Sequence, residues 1–321
     1  CMIHIGLCAD ERFAMPLGVC VTSIFQSNKQ NEIFIHVLTQ GLSVETERKL
    51  YQIASTYNQR LQIYMVNESL FNEYPLSSHF PHSIYFRYLL PQILSEDITK
   101  VLYMDCDTVV LEDLCELWNT DITDNPIAAV RDANSDDIIE RNRIKIFDDS
   151  YLNSGVLLMN LQMWRKEDGF KQLATFILNN SEKCVWPDQD ALNVVFHNRI
   201  KWLSFRYNFQ VILSEDYNRY RLHCQYHEDV KESFAKIVIL HYSSVMQKPW
   251  LSDVLHPLAF IWRSIYQDSL WNNVKLKPRY GFVKRYIKTK MHMEPYRVCP
   301  EINREFMDQF MVWKNTFELS L

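Results

Sequence analysis

The first hundred residues alternate short apolar segments typical of strands with segments of helical periodicity, and this alternation constrains the fold most. It predicts an α/β fold with a mainly parallel sheet, because parallel neighbours need a crossover connection, usually a helix. Ser43 is a predicted helix N-cap, since Glu45 and Glu47 follow it in the first turn. The predicted strands are residues 3–9, 33–39, 61–66 and 101–104, and the predicted helices are 16–27, 43–57 and 83–94.

The α/β pattern continues to about residue 250. Asp188 is a plausible N-cap at the start of a later helix, and the polar stretch 134–150 is predicted to be a mobile loop. Ligands of such sheets bind outside the carboxyl ends of the strands, so we expect Asp10 and Asp105 to share one crevice. The later strands are predicted at residues 127–130, 155–160 and 237–240, and the later helices at 164–178 and from 186 onward.

An acidic pair, Asp105 and Asp107, interrupts the apolar run between Val101 and Leu111. On an extended chain this spacing points both side chains to one face. Two carboxylates beside apolar walls repel each other unless a cation is shared between them. Oxygen ligands suit Mg²⁺, Mn²⁺ or Ca²⁺, so the pair predicts a divalent metal site. A strand that simply ends at a polar turn is the alternative interpretation.

Composition excludes several classes of protein. The six glycines are scattered, which excludes G-x-G-x-x-G and the P-loop, because each needs clustered glycines against phosphate. The eight cysteines include no C-x-x-C pair, which argues against a zinc site and suits a reducing cytosol. The net charge of −5 gives no sign of nucleic-acid binding. No apolar run is long enough to cross a bilayer, so we expect a cytoplasmic protein.

A basic segment rich in aromatic residues follows the predicted α/β region. Between residues 275 and 297 it holds eight Lys or Arg residues against one acid, Glu294. A solvated helix flank and a surface that binds anionic membrane both fit this pattern, and the sequence leaves the two open. The basic residues are Lys275, Lys277, Arg279, Lys284, Arg285, Lys288, Lys290 and Arg297.

Six sequence blocks, taken together, resemble the family-8 glycosyltransferases, enzymes of bacterial lipopolysaccharide and polysaccharide synthesis with a GT-A fold. The resemblance covers about residues 3–250 and rests on the order and spacing of the blocks. It implies a Rossmann-like catalytic domain over residues 1–250 that binds a nucleotide sugar, followed by a helical extension over 251–321. The blocks are Ala9-Asp10, Tyr85-Phe86-Arg87-Tyr88-Leu89, Leu102-Tyr103-Met104-Asp105-Cys106-Asp107, residues 152–161, residues 188–193, and His241-Tyr242 with Lys248-Pro249-Trp250.

The resemblance implies a role for each matching residue. Asp105, Asp107 and His241 match the protein ligands of Mn²⁺ (or Mg²⁺), and Lys248 matches a lysine on the diphosphate. Without the resemblance, a strand-end histidine is more often a structural residue than a ligand. Positions that match contacts to the UDP-sugar donor are Cys8, Ala9, Asp10 at the uracil edge, Phe13 on the base, and Arg87, Asp132 and Asn153 around the sugar.

Gln189 and Asp188 match the catalytic positions of the family, which retains the anomeric configuration. A double displacement needs a carboxylate beneath the anomeric carbon, whereas Gln189 is an amide and a poor nucleophile. We therefore expect same-face attack by the acceptor, assisted by the leaving phosphate, with a covalent intermediate through Asp188 as the alternative. Two departures from the family pattern are Arg12, which replaces a smaller polar residue, and one extra residue between His241 and Lys248.

The resemblance also implies the partners. The donor is a UDP-hexose, and the sequence does not distinguish galactose from glucose. The acceptor is a saccharide or a lipid-linked saccharide, and no nucleic acid is involved. With a lipid-linked acceptor, the basic segment would place the enzyme on the cytoplasmic face of the inner membrane as a peripheral protein.

Two other functions stay open at the level of sequence. Asp105-x-Asp107-x-Val109 also fits haloacid-dehalogenase-type phosphatases, in which the first aspartate forms a phosphoenzyme and the second is the acid or base. Asp148-Asp149 imitates the later acidic pair of those enzymes. Their motif normally opens the fold, whereas about a hundred residues precede it here. The second alternative is a non-catalytic protein that binds a sugar nucleotide. Nucleotide binding without turnover would favour this alternative.

Overall fold

Two sheets form in the part of the chain that the computed structural model describes, residues 2–75, 82–214, 221–254 and 256–279. Their strands are β1 (Met2–Cys8), β2 (Glu32–Thr39), β3 (Arg60–Met65), β4 (Lys100–Met104), β5 (Thr108–Val110), β6 (Ile127–Arg131), β7 (Leu152–Asn160), β8 (Ile200–Trp202), β9 (Phe209–Gln210) and β10 (Ile239–His241). The large sheet has the order β3-β2-β1-β4-β7-β6-β8, and the small sheet has the order β5-β10-β9. The predicted α/β class is therefore confirmed.

Helices connect the strands and bury both faces of the large sheet. They are α1 (Ala14–Ser27), α2 (Val44–Thr56), α3 (Leu90–Ile93), α4 (Cys115–Trp118), α5 (Ile138–Arg143), α6 (Leu161–Glu167), α7 (Gly169–Asn180), α8 (Pro187–Val195), α9 (His227–Phe234) and α10 (Ala259–Asp268). Successive residues of β4 enter apolar clusters on opposite faces, as the period of two in a strand requires. Ser43 accepts a hydrogen bond from the Thr46 amide, which confirms this predicted N-cap.

Strand β7 is the one strand of the large sheet that runs against its neighbours. β1, β2, β3 and β4 are mutually parallel, and Met104 at the end of β4 pairs with Val156 of β7. Because β7 is antiparallel, its first residues lie at the edge where β1 and β4 end. The antiparallel strand therefore brings Asn153 and Ser154 to the carboxyl ends of the parallel strands.

The chain leaves the large sheet and enters the small one at the acidic pair. The Asp105 amide donates to the Gly155 carbonyl at 2.8 Å, which continues the pairing of β4 with β7. Three residues later, β5 starts at Thr108, which pairs with His241 of β10. The turn between the sheets therefore presents Asp105 and Asp107 to a histidine from a distant part of the chain.

Two of the predicted helices differ from the observed ones because local geometry interrupts them. Residues 164–178 belong to α6 and α7, which are separated at Asp168, a residue with left-handed backbone (φ 51°). Residues 83–94 form a 3-10 helix (His82–Leu89) followed by the single turn α3.

Two further predictions around the later helices are wrong. Trp186, not Asp188, is the N-cap of α8, and Asp188 lies inside the first turn. The predicted loop 134–150 contains α5, and Ile144 and Ile146 after it are buried against Tyr151. The polar composition of the segment gave no indication of these contacts, because only Ile144 and Ile146 make them.

Residues beyond 250 pack against the α/β core as far as they are described. Trp262 of α10 is fully buried, and α10 lies on α1. The Trp271 ring lies so close to Gly18 that a Cβ there would be 2.6 Å from its Cη2 atom. The predicted boundary at residue 250 stays a prediction. Residues 280–321, most of the basic segment, lie outside the described part, within which no helix combines the length and apolarity needed to cross a bilayer.

Candidate metal and nucleotide-sugar site

Three predicted metal ligands from two sheets converge at the carboxyl end of β4. Oxygen atoms of Asp105 and Asp107 and a ring nitrogen of His241 all lie within 4.8 Å of one another. His241 Nε2 is 3.3 Å from Asp107 Oδ1 and 4.0 Å from Asp105 Oδ2. His241 reaches this position because β10 pairs with β5 directly after the acidic turn.

The donor set fits a divalent cation. The Asp107 Oδ1 atom is buried and has no hydrogen-bond partner among the described residues, which is costly for a carboxylate unless a cation binds it. His241 Nδ1 is hydrogen-bonded to Asn208 Oδ1 at 2.9 Å, so Nε2 is the ring nitrogen that faces the carboxylates. Two carboxylates and an imidazole suit Mn²⁺ or Mg²⁺ as ligands.

Lys248 balances part of the negative charge of this cluster. Its ammonium donates to Asp107 Oδ2 at 2.5 Å and to the Tyr242 carbonyl at 2.7 Å. Burial opposes ionisation of Asp107, but the positive charge of Lys248 and the neighbouring His241 ring outweigh burial and lower the pKa of this carboxyl well below its ordinary value. The Asp107 carboxyl is therefore ionised at neutral pH. Contact between Lys248 and a diphosphate requires the ammonium to turn away from Asp107.

Arg87 is a buried cation that holds two carboxylates in place. Its Nη2 atom lies 3.1 Å from Asp105 Oδ1 and 3.2 Å from Asp188 Oδ2, while its Nη1 atom donates to the Ser154 carbonyl at 2.6 Å. The guanidinium also lies 4.3 Å from the centre of the Tyr103 ring. With 3% of its surface exposed, Arg87 is placed to fix Asp105 and Asp188 rather than to reach far into the crevice.

The two predicted catalytic residues lie side by side on the first turn of α8. Asp188 is buried, and burial raises the pKa of its carboxyl while Arg87 opposes that effect. Gln189 Oε1 accepts the Ser154 amide at 2.9 Å, and its Nε2 atom faces Asp132 Oδ2 at 3.3 Å. Both side chains are therefore oriented by β7, through Ser154.

Asp132 and Asn153 continue this polar row toward the metal ligands. Asn153 Nδ2 donates to Asp132 Oδ2 at 2.9 Å, and Asn208 Nδ2 donates to Asn153 Oδ1 at the same distance. The structure thus brings Asp132, Asn153 and Gln189 together with the metal cluster along one edge of the sheet. Their predicted roles toward a sugar stay predictions.

The residues after β1 form the second part of the crevice. Asp10 accepts the Arg12 amide at 2.9 Å and pairs with the Arg12 guanidinium at 2.6 Å, so its carboxylate is engaged within the chain. Phe13 is 38% exposed and meets Trp250 edge-on, with ring centroids 5.8 Å apart. Cys8 accepts the Cys106 thiol at its carbonyl, which ties this strand end to the acidic turn. Ala9, at the same strand end, is almost fully buried.

The second acidic pair lies apart from this crevice. Asp149 accepts the Tyr226 hydroxyl at 2.6 Å, and Asp148 lies 3.5 Å from His197. Asp105, the nucleophile in the phosphatase alternative, has one oxygen taken by the Tyr103 hydroxyl at 2.5 Å and by Arg87. Neither observation favours a phosphoenzyme.

Sequence reasoning missed Asn208, Ser154 and Tyr103 as parts of the site. Ser154 and Tyr103 stand inside the matched blocks, next to predicted ligands, and adjacency was the signal that could have found them. Asn208 precedes β9, a strand of two residues without an apolar run of its own, so the sequence gives no signal for it.

Comparison with known proteins identifies the family. The model of "Glycosyl transferase family 8" matches residues 4–254. A lipopolysaccharide 1,2-glucosyltransferase of Escherichia coli is 28% identical over 297 residues, which is 90% of this chain and 83% of that protein. General stress protein A of Bacillus subtilis is 26% identical over 279 residues, 85% of this chain and 96% of that protein.

Solved structures agree with this assignment. The galactosyltransferase LgtC, in complex with donor and acceptor sugar analogs, matches with a TM-score of 0.76 and 26% identity, covering 84% of this chain and 99% of that chain. The GT-A fold and the transferase activity expected from the sequence are thereby confirmed, and the phosphatase alternative is not favoured. The chain belongs to glycosyl transferase family 8.

Proposed function

We propose that the protein is a retaining hexosyltransferase that moves galactose or glucose from a UDP-hexose to a saccharide acceptor of lipopolysaccharide or surface polysaccharide. The names of relatives support the sugar and the acceptor class, because they include a lipopolysaccharide 1,2-glucosyltransferase and, from Salmonella typhimurium, a lipopolysaccharide 1,3-galactosyltransferase. The observation that carries the proposal is the convergence of Asp105, Asp107 and His241 beside Lys248.

The charges of this cluster suit a nucleoside diphosphate leaving group. Asp105, Asp107 and His241 would hold Mn²⁺, which supplies positive charge against a diphosphate when it is bound. Lys248, whose ammonium lies 2.5 Å from Asp107, would add a second positive charge that stabilises the departing diphosphate. Phe13 offers an exposed aromatic face for the base.

The orientation of α8 supports same-face attack over a covalent intermediate. Gln189 has both amide atoms engaged, one by the Ser154 amide and the other by Asp132. Asp188 is buried, and its Oδ2 atom is held by Arg87 and by the Ser154 hydroxyl at 3.2 Å. A nucleophilic carboxylate must reach the anomeric carbon, and burial together with these two contacts restrains Asp188. We therefore infer that the acceptor hydroxyl attacks directly and that the leaving phosphate takes its proton.

A donor panel tests this function. Purified protein is incubated with Mn²⁺ and each of several radiolabelled UDP-sugars, and hydrolysis without acceptor is scored. We expect UDP-galactose or UDP-glucose to be hydrolysed and the α configuration to be kept in early product, read from the anomeric proton by NMR. A β product would contradict the retaining mechanism, and nucleotide binding without any turnover would favour a non-catalytic binder.

We further propose that the basic segment binds anionic membrane and presents a lipid-linked acceptor to the site. Residues 275–279, the described part of this segment, lie beside residues 251–253, which follow Lys248. Arg279 donates its amide to Asp253 at 2.8 Å, and Lys277 pairs with Leu251. Val245 and Met246 are more than half exposed beside Arg279. Each basic residue near anionic lipid contributes about 1 kcal/mol, so several together hold a protein reversibly.

Removal of the chain after Arg279 tests the membrane proposal. This end point keeps the described contacts of Lys277 and Arg279, whereas an earlier cut would remove them. We expect the shortened protein to lose co-sedimentation with anionic vesicles at low salt and to keep donor hydrolysis. A full-length control with Lys284→Gln, Arg285→Gln, Lys288→Gln and Lys290→Gln separates charge from chain length. Equal vesicle binding by all three proteins would show that the segment is only a solvated flank.

A further inference from the structure

Two buried asparagines connect the candidate metal site to Asp132, and we propose that they fix the tautomer of His241. Asn208 is fully buried, Asn153 is 6% exposed and His241 is 3% exposed. The contacts run from Asp132 through Asn153 and Asn208 to His241, each at 2.9 Å. The inference rests on the proposed metal role of His241, and it adds Asn208 as a positioning residue.

The groups that contact Asn153 determine the donor and the acceptor of every hydrogen bond in this row. Asp132 Oδ2 accepts from the NH₂ group of Asn153, which turns the Asn153 oxygen away from Asp132. The Gly155 amide, which only donates, approaches that oxygen at 3.1 Å and requires the same orientation. The Asn153 oxygen therefore accepts from the NH₂ group of Asn208.

The second half of the row follows from the first. With its NH₂ group committed to Asn153, Asn208 presents its oxygen to His241 Nδ1. A carbonyl oxygen only accepts, so His241 must carry its proton on Nδ1. Nε2 then has a free lone pair, and it faces the oxygens of Asp107 and Asp105.

This arrangement is the orientation that a histidine ligand needs. Metal-binding histidines generally donate the hydrogen of the other ring nitrogen to an acceptor, and such partners typically change metal affinity 10- to 100-fold when removed. The row also joins the metal ligand to Asp132 and, through it, to Gln189. Asn208 is therefore a positioning residue that holds the His241 ring in this orientation.

The tautomer of His241 is the first measurement. Histidine-labelled, metal-free protein is studied by long-range ¹H–¹⁵N correlation at a pH high enough for the imidazole to be neutral, and the signal is assigned with a His241→Asn variant. We expect the Nδ1–H form in the native protein and in Asn208→Asp, which keeps an acceptor, and a mixture of tautomers in Asn208→Ala. The Nε2–H form in the native protein would overturn the proposal without any variant. Identical spectra for the two variants would also overturn it.

Binding of Mn²⁺ alone, measured by calorimetry on the full chain, is the second measurement. We expect Asn208→Ala to weaken the affinity about 10- to 100-fold. Asn28→Ala is the matched control, because Asn28 is an equally buried asparagine bonded to the Ile24 carbonyl and the Leu114 amide, away from the site. Equal loss in both variants would reduce Asn208 to a structural residue. A native tautomer as expected, combined with no Mn²⁺ binding by the native protein, would instead refute the metal role of His241.

Discussion

Asp107→Asn should abolish transfer while the protein stays folded. The substitution keeps the shape of the side chain but removes the charge of a proposed ligand, whose Oδ1 atom has no hydrogen-bond partner within the described part of the chain. It also leaves Lys248 and His241 without the anion between them. We expect turnover to fall on the order of a hundredfold or more, the usual cost of losing a charge that stabilises the transition state. Turnover with each UDP-sugar, measured against Mn²⁺ concentration, checks this.

Two companion variants sharpen the result. Asp105→Asn should behave similarly, since Asp105 supplies the second carboxylate of the cluster. Asp121→Asn is the control, because Asp121 is exposed and its carboxylate only accepts from the Thr123 amide and hydroxyl. Near-normal turnover of Asp107→Asn at ordinary Mn²⁺ concentrations would make the acidic pair structural.

Gly155→Ala should damage the same site through shape alone. A Cβ at residue 155 would overlap the His241 ring, lying 2.8 Å from Nδ1 and 3.0 Å from Asp105 Oδ2. The backbone of Gly155 cannot retreat easily, because its carbonyl accepts the Asp105 amide within the sheet. His241 must therefore move, and we expect a loss of turnover similar to removal of a ligand. Overpacking also typically lowers the free energy of unfolding by about 1–3 kcal/mol.

Gly6→Ala separates the two effects. Gly6 lies in β1, where a Cβ would meet the Leu90 side chain at 2.9 Å, far from His241. Both variants should melt at lower temperature than the native protein, but only Gly155→Ala should lose transfer and Mn²⁺ affinity. If Gly155→Ala keeps both, the position of His241 does not depend on this close approach.

The sequence predicts the parallel half of the sheet because its signals are local. A few consecutive residues are enough to recognise a strand whose alternate residues enter two apolar clusters. The same holds for a helix with a polar cap, such as Ser43 on α2. The reversed direction of β7 has no such signal, since it depends on pairing between Val156 and Met104 across the fold. Short strands such as β9 cannot be predicted from the sequence for the same reason.

The candidate site divides in the same way. Asp105 and Asp107 stand out because two charges interrupt an apolar run, and this signal needs no partner. The roles of His241, Asn153 and Asp188 were predicted from the family resemblance. The sequence around each of these residues does not indicate that they lie close together. The pairing of Asp10 with Arg12 could not be foreseen, because either residue alone suits a solvent-facing turn.

The placement of the ligands on two sheets has a consequence for the folding energetics of the domain. Asp105 directly follows β4 of the large sheet, while His241 belongs to the small sheet, so an ion bound by both would link the two sheets. Binding to the folded state alone adds about 2.7 kcal/mol at a metal concentration of 100 Kd. Local opening of β10 should then be suppressed, which slower amide hydrogen exchange at Ile239–His241 in Mn²⁺ would report. The cellular concentration of Mn²⁺ would thus determine how strongly the two sheets are held together.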